Sequence, residues 1–109
     1  MTSARVAFVT CPDEECALKL GRSLVEKRLA ACVNVVQGVR SIYRWEDQVQ
    51  QDSEVLLVVK TRADRVAALT ETVQKEHPYD VPEVIVLPVE EGSKPYLDWI
   101  DESLGEKTA

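Results

Sequence analysis

Apolar and polar residues follow two rhythms along this chain, and the switches between them mark its elements. The run Val6-Ala7-Phe8-Val9 is almost unbroken, which predicts a strand over Arg5 to Thr10 lying centrally in a sheet. From Cys11 the period lengthens. Ala17, Leu20, Leu24 and Leu29 recur at helical spacing, with Val25 beside them, while Lys19, Arg22, Glu26 and Lys27 take the opposite face. Pro12 suits a first helical turn, and the carboxylates of Asp13, Glu14 and Glu15 complement the helix dipole there. Gly21 costs about 1 kcal/mol against alanine inside such a helix, and it permits close contact with a sheet.

The period shortens again at Cys32. Cys32-Val33-Asn34-Val35-Val36 reads as a strand, Gly38 allows a bulge or bend, and Val39, Ser41, Tyr43 and Trp45 carry the strand onward with Ile42 on its other face. A turn at Glu46-Asp47 or Asp47-Gln48 leads into a second long strand from Val49 to Thr61. The resulting hairpin has arms roughly twice the usual ~5–6 residues. A helix follows from about Ala63 to Glu76, with Val66, Leu69 and Val73 as its apolar stripe. Glu83 to Val89 is the last strand. Ser93 or Lys94 then caps a short helix that starts near Pro95 and is anchored by Tyr96, Leu97, Trp99 and Ile100.

The order is β-α-β-β-α-β plus a terminal helix. It predicts an α+β, ferredoxin-like fold: a four-stranded antiparallel sheet with two helices on one face. Residues 1–109 form one domain, with frayed tails at 1–4 and 105–109. The two long strands must overhang the two short ones. The overhang carries Val39, Ile42, Tyr43, Trp45 and Val49, too apolar for water, and leaves backbone groups unpaired. A partner copy that accepts this arm is the economical answer, with cyclic symmetry closing the assembly as a homo-oligomer; a hairpin curled back over its own sheet is the alternative.

Charge narrows the partners. Nineteen acidic against 13 basic residues give a net charge of −6, which argues against nucleic acid and anionic membrane surfaces. The first apolar run is too short for a signal-peptide core or a membrane span, so a cytoplasmic protein is expected. With that location its three cysteines, Cys11, Cys16 and Cys32, are expected as free thiols.

The segment His77-Pro78-Tyr79-Asp80-Val81-Pro82-Glu83 holds the sole histidine between two prolines that fix its path. It presents His77, Tyr79 and Glu83 in a set relation at an element boundary. His77 is a candidate ligand for a soft or borderline cation, or else a partner for the last helix carbonyls. Lys60 ends an apolar strand and either pairs with a carboxylate such as Glu83, faces a cleft, or snorkels to solvent. Trp45, Tyr79, Tyr96 and Trp99 are amphipathic aromatics suited to a pocket wall or an interface. Cys11 precedes a helix start and is the most plausible reactive thiol, although the nearby carboxylates oppose that effect; Cys32 reads as a small core residue. Cys11 and Cys16 do not have zinc-site spacing, no nucleophile elbow appears, and four glycines form no phosphate loop, so no catalysis is expected.

Five stretches together resemble the CutA family of divalent-cation tolerance proteins. They are Leu29-Ala30-Ala31-Cys32-Val33-Asn34, Gly38 through Trp45, Lys60-Thr61, His77-Pro78-Tyr79 with Pro82-Glu83, and Tyr96-Leu97-Asp98-Trp99-Ile100. The resemblance implies a ferredoxin-like homotrimer with hairpin arms pairing between subunits, a role in tolerance to divalent metals, and copper binding, with His77 the matching ligand position. The architecture is also similar to the PII signalling proteins, which bind small ligands in clefts between subunits. By that analogy Lys60, Glu83, Tyr79, Trp45, Asn34 and Cys32 are the cleft candidates, and a PII-like sensor or a trimeric protein anchor is the alternative to metal function. Where many members have glycine after Trp45-Glu46, this chain has Asp47. Where some place a second histidine before the motif, it has Glu76.

Overall fold

The computed structural model describes residues 2–107. Its elements are β1 (Ala4–Cys11), α1 (Glu14–Glu26), β2 (Cys32–Trp45), β3 (Gln48–Arg62), α2 (Val66–Glu76, entered through a 3₁₀ turn at Ala63–Arg65), β4 (Ile85–Pro88) and α3 (Lys94–Leu104). The strands form one antiparallel sheet in the order β2-β3-β1-β4, the ferredoxin-like arrangement expected.

Strand alternation separates two faces. Ala7, Val9 and Cys11 of β1, with Val55, Leu57 and Val59 of β3, meet Ala17, Leu20 and Leu24 of α1 and Leu69 and Val73 of α2 in the main core. A methyl group on Gly21 would stand 3.2 Å from Val33 Cγ1, so the missing side chain sets how closely α1 approaches the sheet. The opposite face is open over Ile85 and Leu87 and covered at one end by α3, where Ile100 and Leu104 pack on Ala4 and Ala31.

Three arginines fasten α3. Arg28 donates to the Ser103 carbonyl at 2.8 Å, and Arg65 donates to the Leu104 and Glu106 carbonyls at 2.7 Å. Arg62, almost fully buried, forks onto both carboxylate oxygens of Asp64 and reaches Asp101. Cations at a helix C-terminus satisfy its orphan carbonyls and complement its dipole.

The hairpin projects beyond β1. β1 pairs with β3 only as far as Cys11 opposite Val55, whereas β2 and β3 stay paired out to Trp45 opposite Gln48. The tip turns on Glu46 and Asp47, with φ of 51° and 64°. Two consecutive left-handed residues are what a two-residue type I′ hairpin needs, and aspartate tolerates that conformation better than most. Gly38, at φ 80°, sits in a bulge between Val36 and Val39. The extra residue shifts the phase of β2, so that Val39, Ser41, Tyr43 and Trp45 share the open face with Glu54 and Asp52.

Four expectations are corrected. The amino end does not fray: Thr2 bonds the Val89 carbonyl through both its amide (3.1 Å) and its hydroxyl (2.7 Å), and Ala4 is buried in β1. At the other end Gly105 bonds back to Asp101 and the Glu106 carbonyl accepts from Arg65; Met1, Thr108 and Ala109, also expected to fray, lie outside the described residues. Helix α1 starts after Pro12, because Asp13 takes the N-cap and accepts from the Cys16 amide at 2.8 Å. The last strand starts at Ile85 rather than Glu83, since β4 pairs only with Arg5 to Phe8 and the chain before it belongs to the proline-framed loop.

Candidate functional site: an acidic aromatic cleft

Where β4 stops, the end of β1 needs another partner, and His77 supplies it. The ring Nε2 donates to the Thr10 carbonyl at 2.8 Å, and Nδ1 accepts from the Tyr79 amide at 3.1 Å. This pattern assigns the tautomer with its proton on Nε2 and commits both nitrogens. The ring is buried and lies 4.7 Å from the Tyr79 ring. His77 therefore orients the loop, with both ring nitrogens engaged inside the chain. Among the described residues no group of three or more His, Cys, Asp or Glu is gathered to hold a metal.

The loop that His77 fixes overhangs the open face beside the projecting hairpin. Between them lies a cleft of about 410 Å³. Tyr43, Trp45 and Tyr79 form its aromatic walls, Glu54, Asp80 and Glu83 its acidic ones, and Thr10 and Val81 complete it. The Tyr79 hydroxyl donates to Glu54 at 3.0 Å, and the Tyr43 hydroxyl donates to Asp52.

The electrostatics of these groups agree in sign. Burial, followed by the charge on Glu54, pushes the Glu83 carboxyl above its usual range. Burial, then the hydrogen bond to Glu54 and the charge on Glu54, pushes the Tyr79 phenol well above its usual value. The bond to Asp52 raises Tyr43. The lining itself is unbalanced in charge: Glu54, Asp80 and Glu83 face the cleft, and no lysine or arginine is among the described residues that line it.

The predicted site residues divide into two groups. Tyr79, Trp45 and Glu83 line the cleft. Lys60, Asn34 and Cys32 share the same face but sit at the far end of the hairpin, where Lys60 lies opposite Cys32 and donates to the Asn34 side-chain oxygen. Lys60 lies six positions along β3 from Glu54, roughly 20 Å of strand. The expected Lys60–Glu83 ion pair is therefore absent within the chain. The Lys60 end has its own aromatic pair, Tyr96 and Trp99, with ring centroids 5.5 Å apart; burial, then the neighbouring Cys32 thiol, raises the Tyr96 phenol. Cys11, expected as a reactive thiol, is sealed in the core.

Glu54, Tyr43 and Thr10 escaped the sequence reading. The available signal was the phase of the hairpin: a one-residue bulge at Gly38 puts Tyr43 on the face of Glu54, the carboxylate directly before the apolar run Val55 to Val59.

A ferredoxin-like sheet with a projecting hairpin arm and an acidic aromatic cleft at its root defines a class of small α+β proteins. The model of the CutA1 divalent ion tolerance protein family matches residues 5–103, and the chain belongs to that family. It is 54% identical over 98 residues to Protein CutA of Mus musculus, covering 90% of this chain and 55% of the mouse protein. It is 50% identical over 100 residues to the divalent-cation tolerance protein CutA of Thermus thermophilus, covering 92% and 97%. The chain thus spans about half the length of the mammalian relatives it matches and nearly all of the bacterial one. Among solved structures, the Thermus thermophilus protein superposes with a TM-score of 0.91 at 49% identity, covering 94% of this chain and 99% of that one. CutA1 of Oryza sativa superposes at 0.92 with 47% identity, covering 95% of each.

Proposed function

We propose that this chain acts in divalent-cation tolerance as a cytoplasmic, non-catalytic homotrimer that holds a hydrated divalent cation in the cleft between Glu54 and Glu83. One observation carries the reading: the cleft gathers Glu54, Asp80 and Glu83, with a tyrosine hydroxyl on Glu54 and no lysine or arginine among its described lining. Their donors are hard oxygens, which suit a manganese- or magnesium-like ion that keeps several waters. A copper site built on His77 does not fit, because both imidazole nitrogens are occupied. The homotrimer is supported by the exposed hairpin tip, where Ile42, Trp45 and Val49 are each 60% exposed or more.

A second reading has its own support. The rings of Tyr43, Trp45 and Tyr79 give the cleft faces on which an organic cation stacks, as a small-molecule sensor would require. Calorimetric titration separates the two. Saturable binding of manganese that is lost in Glu54→Gln/Glu83→Gln and kept in His77→Gln supports the cation reading. Copper binding that persists in the double variant and disappears in His77→Gln overturns it. Binding of an organic amine, but no metal, by the wild type selects the sensor.

A further inference from the structure

The projecting hairpin arm has two faces of opposite charge. Cross-strand partners share a face, so Arg40 with Ser53, Ile42 with Gln51 and Arg44 with Val49 form the back of the arm, away from the cleft. The front carries Asp52 and Glu54. Along the paired positions from Val39–Glu54 to Trp45–Gln48, the back holds both arginines and no carboxylate. Both arginines are exposed. Arg44 has one long bond, 3.5 Å to the Asp47 carbonyl, and Arg40 has no hydrogen bond or ion pair among the described residues. Other arginines are engaged: Arg5 donates to the Thr2 and Ala4 carbonyls, and Arg28, Arg62 and Arg65 fasten α3. Arg22 belongs to α1, in the helix layer across the sheet from the cleft.

The cleft at the root of the arm has the chemistry that a guanidinium needs. Tyr43, Trp45 and Tyr79 offer ring faces to a flat cation, and Glu54, Asp80 and Glu83 offer carboxylates to its fork of donors. The chain's own Arg40 and Arg44 cannot supply it, because register fixes them on the opposite face of the same two strands. A second copy can. Ile42 sits between the two arginines and Val49 opposite Arg44, and these are 68% and 66% exposed. Seating the back of one arm at the front of the next therefore covers apolar surface while it pairs charge. Contact between unlike faces is heterologous and closes into a ring. Contact between like faces would set arginine on arginine or carboxylate on carboxylate.

We infer that the acidic aromatic cleft is completed by the arm of a neighbouring copy, whose Arg40 and Arg44 are its resident cations. The inference rests on the homotrimer of the proposed function and adds a regulator to its cation site. Arginine and metal compete for the same carboxylates, so each weakens the hold of the other by the same factor. The assembly fixes the effective concentration of the arginines, and a divalent ion enters only above the level needed to displace them.

The test is a double-mutant cycle on the full chain, read by subunit exchange between fluorescently labelled copies and by manganese calorimetry. Arg40→Gln/Arg44→Gln should speed exchange about tenfold, since losing one side of an interfacial charge pair acts mainly on dissociation. It should also bind manganese several-fold more tightly than wild type. Glu54→Gln/Glu83→Gln should speed exchange to a similar degree. All four substitutions together should do little more than either pair, because both pairs remove one contact. Circular dichroism checks that each variant folds, as substitutions at exposed sites usually allow. An arginine variant that exchanges like wild type, or a fourfold variant whose effects add, overturns the inference and leaves the homotrimer standing. A coupled cycle in a protein that binds no manganese supports the arginine contact and overturns the cation reading. A wild type that sediments as a folded single chain overturns both.

Discussion

His77 bonds the Thr10 carbonyl where β4 no longer reaches β1, so a side chain continues a ladder that the backbone has left. The same ring accepts from the Tyr79 amide, which fixes the loop carrying Tyr79 and Glu83 over the cleft. In His77→Ala the Thr10 carbonyl loses its partner in a part-buried setting, a loss of about 1 kcal/mol, at the low end of the cost of an unpaired group. Urea denaturation should show that loss as a lower midpoint with an unchanged slope. His77→Gln, which can still donate, should recover part of it. A variant as stable as wild type would mean that the ring does not hold the loop.

Arg62 meets Asp64 and Asp101 at the base of α3 while scarcely exposed itself. Truncation to alanine removes charge-assisted bonds, and Asp64 keeps Arg65 as a neighbour at 3.6 Å. The loss should therefore be about 1.5–3 kcal/mol, the range for single charged hydrogen bonds rather than for a stranded buried charge. Hydrogen exchange is the sharper readout. Amides of α3 should open faster in Arg62→Ala while those of α1 keep their protection, since α1 packs in the other cluster.

Apolar rhythm was enough to read the element order and the sheet type, because burial on one face enforces period two and helices enforce 3.6, while Gly38 marked only where a bulge or bend could fall. What local pattern did not carry was distance along a shared face. Lys60 and Glu83 are each charged residues beside apolar runs, and nothing local distinguishes one end of the hairpin from the other. The register does, by setting Lys60 opposite Cys32 and Glu54 opposite Val39. The role of His77 was hidden for a related reason: its partner Thr10 is 67 residues away, and the need for that partner arises only because β4 stops early.

The Lys27–Glu76 pair ties the last turn of α2 to the end of α1. Lys27, and after it Ser23, hold the Glu76 carboxyl below its usual range. A depressed acid contributes stability above its unfolded value, here 4.5, and loses that contribution as pH falls through the folded value. Both groups are substantially solvated, so the effect should be under about 1 kcal/mol and should shrink in high salt. Melting temperatures of wild type and Glu76→Gln should differ most near neutrality and converge in acid. A gap that widens on acidification would reverse the sign argued here.

The hairpin tip supplies the last prediction, because its apolar residues contribute nothing to the fold of one chain. Ile42, Trp45 and Val49 lie on a two-stranded projection beyond β1, outside both core clusters. Replacing Ile42 and Trp45 by glutamate and serine should leave helix and strand content unchanged, as substitutions at exposed sites usually do. If these side chains are sheltered by neighbouring copies, the same change buries a charge at the contact and weakens association. Sedimentation velocity of the wild type should show a single species of three chains at micromolar concentration, and the double variant should shift toward one chain. A folded single chain in the wild type, or a trimer indifferent to both substitutions, would place the association surface elsewhere and leave the cleft to be explained within one subunit.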